Sequence, residues 1–208
     1  MATTARIPPG RAGRMWLRRR LATATRGRDQ LDRKLRILLP EQQRLLIRAE
    51  RSHERWVAAC DQARTWLLRA ALLGGQDAVR AAAAPGPAQV EIVWASAMGL
   101  RYPTDARLTD PGTPPAAVPA NAAVGPAVDA YRDALLAGVR AATAEEAARR
   151  VDAEIAVTRR RLRALDKRWL PWLTGALADL ELALEQAEQE DGIRLRRAVG
   201  TEPSRRLS

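Results

Sequence analysis

Phenylalanine is absent from this chain of 208 residues, and six tryptophans and two tyrosines are its only aromatic residues. A globular core of this size normally uses phenylalanine, so the composition argues against a conventional globular domain. The apolar residues are mostly alanine and leucine, which favour helices and narrow contacts between helices. We therefore expect a mainly α-helical protein.

Cysteine and histidine each occur once, as Cys60 and His53. A single cysteine excludes a disulfide framework within the chain and favours a reducing, cytosolic setting. The same scarcity excludes the usual His/Cys metal cluster and argues against a Ser/His/Asp triad. The Gly-x-x-x-x-Gly-Lys-Ser/Thr loop that holds nucleotide phosphates is also missing. We expect no cofactor, no metal and no catalytic site.

Long apolar runs are missing as well. The longest stretch without charge, residues 111–128, contains five prolines and therefore cannot form a membrane-spanning helix. We expect a soluble protein without a membrane-inserted segment.

Positive charge is abundant, and its excess lies at one end of the chain. Residues 1–70 hold 17 lysines and arginines against six acids, a balance of +11, whereas residues 71–208 hold 18 of each sign. Such an excess indicates an acidic partner surface, which nucleic acid, anionic lipid or protein could provide. Charge alone does not choose among them.

Residues 15–73 have the apolar spacing of a coiled coil. Positions from Leu17 to Leu73 step alternately by four and three, and fourteen of these seventeen positions are apolar. We predict a flexible lead over 1–14 and a first helical arm over 15–73, capped by Gly74-Gly75 and kinked at Pro40. The seam residues that we single out here are Leu17, Leu21, Leu31, Leu35, Leu38, Leu45, Trp56 and Trp66.

Residues 74–142 form a connector of different composition. The alternating segment from Gln89 and the segment after Gly99 predict a β-hairpin over about 89–108. A linker rich in proline and alanine follows over 109–126, and a short helix is predicted over 127–142.

A second apolar seam predicts a helical arm over 143–199, followed by a flexible tail over 200–208. Thr143-Ala-Glu-Glu146 is either a capping box that starts this arm or an exposed turn within a continuous helix. The seam shifts by one position after Pro171. Its members are Val151, Ile155, Leu162, Leu165, Trp169, Leu173, Leu177, Leu180 and Leu184.

Two arms of similar length around a short connector predict an antiparallel two-helix coiled coil. Matching the arms end to end places Pro40 opposite a position near residue 176. The acidic stretch 179–191 then complements the basic region of the first arm near residues 25–37.

Three motif blocks resemble one known family. The first arm contains Leu17-Arg-Arg-Arg-Leu21, Ala24-Thr-Arg-Gly27 and Leu31-Asp-Arg-Lys34, and the centre contains Ser96-Ala-Met-Gly-Leu-Arg-Tyr-Pro103. The second arm adds Thr158-Arg-Arg-Arg-Leu-Arg-Ala-Leu165, with Leu170-Pro-Trp-Leu173 and Arg194-Leu-Arg-Arg197 beyond it. In order and separation these blocks resemble the D subunit of V-type (V/A-type) ATPases over about three quarters of the chain.

The resemblance implies the central-stalk rotor of a rotary ATPase. Both arms would enter the bore of a hexamer of catalytic A and non-catalytic B subunits. The hairpin would contact the F subunit and a membrane-side adaptor that couples to the proteolipid ring. The resemblance implies hexamer contacts at Arg18, Arg26, Arg33, Lys34, Arg159, Arg160, Arg161, Arg194, Arg196 and Arg197. It implies coupling-end contacts at Val90, Ile92, Trp94, Met98, Gly99 and Tyr102.

On this interpretation the chain is cytoplasmic, peripheral to the membrane, and makes no direct contact with nucleic acid. One alternative is a basic helical hairpin that acts as a scaffold or binds nucleic acid without ATPase partners. The γ subunit of an F-type synthase is also a two-helix rotor, but it resembles this chain less, because its arms enclose a full α/β domain.

Overall fold

The computed structural model describes residues 7–82, 86–109 and 121–200, with side chains as far as residue 197. Residues 1–6 of the predicted lead, most of the predicted linker and residues 201–208 of the predicted tail lie outside the described residues. The predicted fold class is confirmed: the described chain is mainly helical, with long helical arms and a two-stranded antiparallel hairpin between them in sequence. Its elements are α1 (Gly10–Ala81), β1 (Gln89–Ala97), β2 (Leu100–Thr109), α2 (Val124–Ala164), a π-helical segment (Leu165–Trp169) and α3 (Leu170–Gly200).

Helix α1 extends beyond both predicted ends of the first arm. It begins at Gly10, and it passes through Pro40 with helical backbone angles. Its interior departs from helical backbone at Gly75, where φ is 68°, a conformation that glycine adopts at little cost. The interruption expected at Gly74-Gly75 therefore falls at Gly75, and a short helical stretch continues to Ala81.

Helix α2 runs without interruption through Thr143. The Thr143 hydroxyl donates a hydrogen bond of 2.7 Å to the carbonyl of Val139, one turn earlier in the same helix. A hydroxyl engaged in this way is part of a helix interior and caps nothing. No helix begins at residue 143, so the short helix predicted over 127–142 and the start of the second arm are one element.

A single π-helical turn precedes Pro171. The backbone N–H of Leu170 bonds to the carbonyl of Leu165, five residues earlier. A π turn accommodates one extra residue, and proline cannot supply the next regular N–H. The extra residue explains why the apolar seam of the sequence shifts by one position at this point.

The chain forms two compact units: a terminal unit of residues 1–33 and 158–208, and a central unit of residues 34–157. In the terminal unit, α1 and the C-terminal helices pair in opposite directions. Arg28 pairs with Asp166 at 3.1 Å, Arg18 with Glu181 at 2.6 Å, and Arg11 with Glu188 at 3.0 Å. Because the partner number rises as the arginine number falls, the pairing is antiparallel.

In the central unit, α1 and α2 also pair in opposite directions. Lys34 pairs with Glu154 at 2.6 Å, and His53 lies 3.2 Å from Glu145. Further along, small side chains allow the two helices to approach closely. One buried cluster joins Ala63 of α1 to Ala130 and Ala134 of α2, and a second contains Ala70, Ala78, Ala123, Val124 and Ala127.

These pairings correct the register predicted from the sequence. The Gln42 side-chain amide donates a hydrogen bond of 2.6 Å to Asp152. The chain beside Pro40 is therefore near residues 152–154, and the expected position near residue 176 is wrong. The acidic stretch does complement α1, but at Arg11 and Arg18 instead of residues 25–37.

The hairpin turns at Met98-Gly99. Both residues have positive φ, 50° and 78°, as a two-residue type I′ turn requires. The register shifts between Val93 and Trp94, so Thr104 forms a bulge beside Pro103, which has no N–H to donate. The Thr104 hydroxyl instead donates to the Val93 carbonyl at 3.2 Å.

Candidate functional site

Most of the predicted seam residues are buried between helices within their own unit. The buried members are Leu17, Leu35, Leu38, Leu45, Val151, Ile155 and Leu173. The half-buried members are Leu21, Leu31, Trp66, Leu162, Leu165, Leu177, Leu180 and Leu184. Trp56 and Trp169 are 39% and 47% exposed and therefore lie at the edge of the seam.

Both edge tryptophans have defined neighbours. The Trp169 ring meets the Trp172 ring edge to face, with centroids 5.8 Å apart. Trp56 meets the His53 ring at 5.7 Å and covers Gly138 of α2. A Cβ on Gly138 would lie 2.9 Å from Trp56 Nε1, so only glycine fits there without movement of the indole.

Nine of the ten basic residues singled out as hexamer contacts belong to the terminal unit, and Lys34 belongs to the central unit. Arg33, Arg159, Arg160 and Arg161 are exposed, and no acid within the described residues forms an ion pair with them. The Nε atoms of Arg26 and Arg196 donate to backbone carbonyls of their own helices. These guanidiniums lie on the outer surface of the helices, where a partner can reach them.

Three of the ten are bound to acids. Arg18 and Lys34 form ion pairs between helices, with Glu181 and Glu154. Arg194 lies 3.7 Å from both Glu190 and Asp191 on its own helix. Arg18 therefore joins α1 to α3 in the terminal unit, and Lys34 joins α1 to α2 in the central unit. The remaining candidate, Arg197, is exposed and also has an interaction partner.

The hairpin presents apolar side chains to solvent. Val90, Ile92, Trp94 and Met98 are between 38% and 46% exposed. Gly99 forms the turn. An exposed apolar strand of this kind is typical of a surface that binds another protein.

Tyr102 is the exception among the hairpin candidates because it faces inward. Its side chain is 6% exposed, and its hydroxyl donates a hydrogen bond of 3.0 Å to Glu41 Oε1 of α1. Burial raises the pKa of Tyr102 above the ordinary value of 10.0, and the hydrogen bond to Glu41 raises it further. Tyr102 therefore fixes the hairpin on α1 and is not itself a surface contact.

Trp94 links the hairpin to α2. The guanidinium groups of Arg101 and Arg150 each lie 5.0 Å from the centre of its ring. Arg150 also donates to Glu146, and this hydrogen bond, followed by that from Arg149, lowers the pKa of Glu146. The carboxylate therefore stays ionised and holds the Arg150 guanidinium beside the indole.

Three positioning residues, Glu41, Gly138 and Arg150, were not predicted from the sequence, because single residues on a helix carry no pattern that identifies their partners. A row of arginines at residues 44, 48, 51 and 55 was not predicted either. Their spacing of four, three and four is a signal that could have found them, because it indicates one helix face.

Among the described residues no group of three histidine, cysteine or acidic side chains is placed to hold a metal ion. None of the described helices combines the length and the apolar character that a membrane span requires.

Comparison with known proteins gives one consistent result. The model of the family of ATP synthase D subunits matches residues 15–200, which include both arms and the hairpin. The chain is 30% identical over 203 residues to the D subunit of the V-type ATP synthase of Thermus thermophilus, covering 93% of this chain and 88% of that protein.

Two further relatives are also D subunits by name. The D subunit of the V-type ATP synthase of Thermotoga neapolitana is 27% identical over 194 residues, covering 92% of this chain and 96% of the relative. The D subunit of the A-type ATP synthase of Archaeoglobus fulgidus is 29% identical over 202 residues, covering 93% and 96%.

Proposed function

This chain belongs to the family of ATP synthase D subunits, and on that premise we propose that it is the central stalk, or rotor axle, of a V/A-type rotary ATPase. It couples ATP hydrolysis or synthesis in a hexamer of A and B subunits to ion translocation across a membrane. It carries no catalytic site of its own, and the nucleotide chemistry belongs to the hexamer.

The observation that carries this proposal is the antiparallel pairing of the N-terminal and C-terminal helices in the terminal unit. Three ion pairs join these helices, at Arg28–Asp166, Arg18–Glu181 and Arg11–Glu188. An axle must transmit torque without unwinding, and two helices joined along their length resist twisting better than one. Because the ion pairs are exposed, each contributes little, and the buried leucines supply most of the cohesion.

The terminal unit is the part that we place in the bore of the hexamer. A shaft that turns inside a bearing needs a hydrated outer surface, because a sticky apolar surface would hold it in one position. The exposed guanidiniums of Arg159, Arg160 and Arg161 supply such a surface. In water their contacts with acidic residues of the A and B subunits are weak, screened and reversible, which suits repeated binding and release.

The hairpin is the part that we place at the coupling end. Its exposed Val90, Ile92 and Met98 offer apolar contacts to the F subunit and to the membrane-side adaptor that couples to the proteolipid ring. Tyr102 and Trp94 hold this surface on α1 and α2, so a load on the hairpin passes to the helices. The protein is then cytoplasmic and peripheral to the membrane, with no inserted segment and no direct nucleic-acid contact.

Co-purification tests this proposal. The full chain is co-expressed with the A and B subunits of the same organism, and the tagged hexamer is isolated. We expect one copy of the chain in each hexamer and ATP hydrolysis by the assembly. If the isolated hexamer does not contain the chain, although the co-expressed chain is folded, the result contradicts the proposal and favours a free-standing helical scaffold.

A further inference from the structure

A basic groove lies in the central unit between α1, β2 and α2. Its volume is about 680 Å³. Two uncharged residues, Ile47 and Ser52, and one acid, Asp105, contribute to its wall. We name it the arginine groove after its five basic residues, which are Arg44, Arg48, Arg51, Arg55 and Arg140.

The positive charge of the arginine groove is only partly balanced. Arg44 lies 3.5 Å from Glu41, and Arg48 lies 4.0 Å from Asp105, at the limit of an ion pair. Arg51, Arg55 and Arg140 form no ion pair that the described parts of the chain provide. Three adjacent unpaired guanidiniums repel one another, and an anionic ligand relieves that repulsion.

The arrangement of the arginines indicates the shape of the ligand. Four of them, from Arg44 to Arg55, follow one face of α1, and the eleven helical steps between the first and the last span about 16 Å. Arg140 faces this row from α2. A small phosphate ion is bound by groups that converge on one point, whereas these cations are spread along a line. The ligand is therefore elongated, with several negative charges along it.

The remaining lining residues indicate the chemistry of the ligand. Ile47 is 48% exposed within the groove, and Leu136, Ala137 and one acid, Asp133, line its extension beside Arg55 and Arg140. Exposed apolar groups between guanidiniums suit a ligand that presents apolar side chains between its acidic ones. No aromatic residue of the described chain lines the groove or this extension. A single-stranded nucleic acid would use aromatic rings as stacking surfaces.

We propose that the arginine groove binds an acidic α-helical segment of a partner protein. Carboxylates three and four residues apart on such a helix match the spacing of the arginines on α1 and can accept paired N–H bonds from them. The partner is another component of the rotary complex, and in this respect alone the inference rests on the proposed function.

Fluorescence anisotropy with the isolated full chain tests the groove directly. The probe is a labelled helical peptide of about 18 residues, about 27 Å long, with glutamates spaced four, three and four apart and leucine or alanine between them. We expect saturable binding that weakens as salt rises. In the Arg51→Glu/Arg55→Glu variant we expect binding at least about tenfold weaker, because two attractive contacts become repulsive.

A matched variant separates the groove from the overall charge. Arg19→Glu/Arg64→Glu makes the same change in net charge at exposed arginines outside the groove. We expect it to bind the peptide within about twofold of the unaltered chain at moderate salt. Equal losses in both variants overturn the proposal, as does equal binding of a peptide with glutamine in place of glutamate. Tighter binding of a single-stranded oligonucleotide that displaces the peptide overturns it in favour of nucleic acid.

A second experiment tests whether the groove binds a component of the complex. The unaltered chain and both variants are mixed with the purified A, B and F subunits and the membrane-side adaptor, and dissociation rates are compared. We expect dissociation to accelerate at least about tenfold for Arg51→Glu/Arg55→Glu and not for the control. If the chain assembles but both variants dissociate alike, the inference fails and the proposed function stands. If the unaltered chain does not assemble, the proposed function fails, and the peptide result still decides whether the groove binds acidic helices.

Discussion

The hydroxyl of Tyr102 donates a hydrogen bond of 3.0 Å to Glu41, so the inward face of the hairpin is joined to α1 one residue beyond Pro40. The hydrogen bond is shielded, because Tyr102 is buried and the Glu41 side chain is 22% exposed. The outward face of the hairpin keeps its apolar side chains available to a partner. One residue thus positions the surface that we place at the coupling end.

Replacing Tyr102 by phenylalanine tests this attachment. The change removes a hydrogen bond to a charged carboxylate that is partly shielded from water. We expect the free energy of unfolding to fall by about 1–2 kcal/mol, measured by urea denaturation. Tyr131→Phe is the matched control, since Tyr131 is 47% exposed, and its effect should lie within about 0.5 kcal/mol. Equal effects of the two substitutions would show that the hydrogen bond contributes nothing.

The raised pKa of Tyr102 predicts a specific loss of stability in alkali. A folded pKa above the unfolded value means that folding favours the neutral phenol. The resulting stability is fully present below the unfolded pKa, near 10.0, and is lost as pH rises through the folded pKa. We expect the urea midpoint of the unaltered chain to fall more steeply above this pH than that of Tyr102→Phe. Parallel curves for the two proteins would contradict the assignment.

The one-residue shift of the seam predicts that deleting one residue is tolerated within the π-helical segment and not within the neighbouring α-helix. Lys167 is exposed within the π-helical segment, and removing it converts the π turn into regular helix while the seam stays in phase. Removing the exposed Ala156, between the buried Ile155 and Thr158, rotates one side of the seam away from its partner. We expect the Ala156 deletion to cost about 3–6 kcal/mol, the burial of two apolar side chains, and the Lys167 deletion to cost far less.

Chemical denaturation of the two deletion variants measures this difference. Equal destabilisation would show that the π turn does not carry the extra residue of the seam. If both deletions leave the free energy of unfolding unchanged, stability does not depend on keeping the apolar positions of the seam in phase.

The contact between Gly138 and Trp56 predicts opposite responses to alanine at two helical glycines. Nothing lies within 4 Å of a Cβ on Gly175, so Gly175→Ala should raise the free energy of unfolding by about 0.5–1 kcal/mol through helix propensity. At Gly138 the same gain is opposed by the Trp56 ring, 2.9 Å from the new Cβ. We expect Gly138→Ala to be neutral or destabilising. A clear stabilisation comparable to that of Gly175→Ala would contradict the observed contact.

Charge reversal at Arg159, Arg160 and Arg161 tests the outer surface of the terminal unit. Because these exposed guanidiniums form no ion pair within the described chain, changing all three to glutamate should leave folding intact. We expect ATP-driven ion transport by the assembled complex to fall at least about tenfold, since attraction to acidic hexamer loops becomes repulsion. The triple lysine variant keeps the charge and is the control. Normal assembly with unchanged coupling by the glutamate variant would remove these arginines from the proposal.

Much of the fold follows from the sequence because it depends on local patterns. The alternation of steps of three and four predicts the arms from Leu17 and from Val151, and the Met98-Gly99 pair turns the hairpin that was predicted over about 89–108. The shift at Pro171 was visible as a break in phase. The shift is caused by the π turn, because π-helical geometry accommodates one extra residue without ending the helix.

The register of the helices could not be predicted in the same way. An alanine and leucine seam fits its partner at several offsets, and the choice depends on particular pairs such as Gln42 with Asp152 and Arg18 with Glu181. Counting the second arm from residue 143 also misled the alignment. Since α2 begins at Val124, the second half of α1 pairs with residues that the sequence assigned to a connector.

The candidate contacts were identified by residue type, but their partners were not. Arg18 and Arg159 look alike in the sequence, yet the first pairs with Glu181 and the second forms no ion pair with an acid among the described residues. Similarly, Tyr102 and Trp94 both belong to the hairpin, but only Trp94 is substantially exposed. Which side chains meet depends on long-range packing, which no local pattern records.

Rotation of the chain inside the hexamer tests the central claim most directly. Cys60 is the single cysteine and is exposed, so a Cys60→Ser background with Ser96→Cys places one attachment site on the exposed hairpin. A bead on this site is observed while the A/B hexamer is fixed to a surface. We predict unidirectional rotation of the bead that requires ATP and stops when ATP is removed. Steady ATP hydrolysis by complexes that contain the chain, with the bead stationary, would contradict the account.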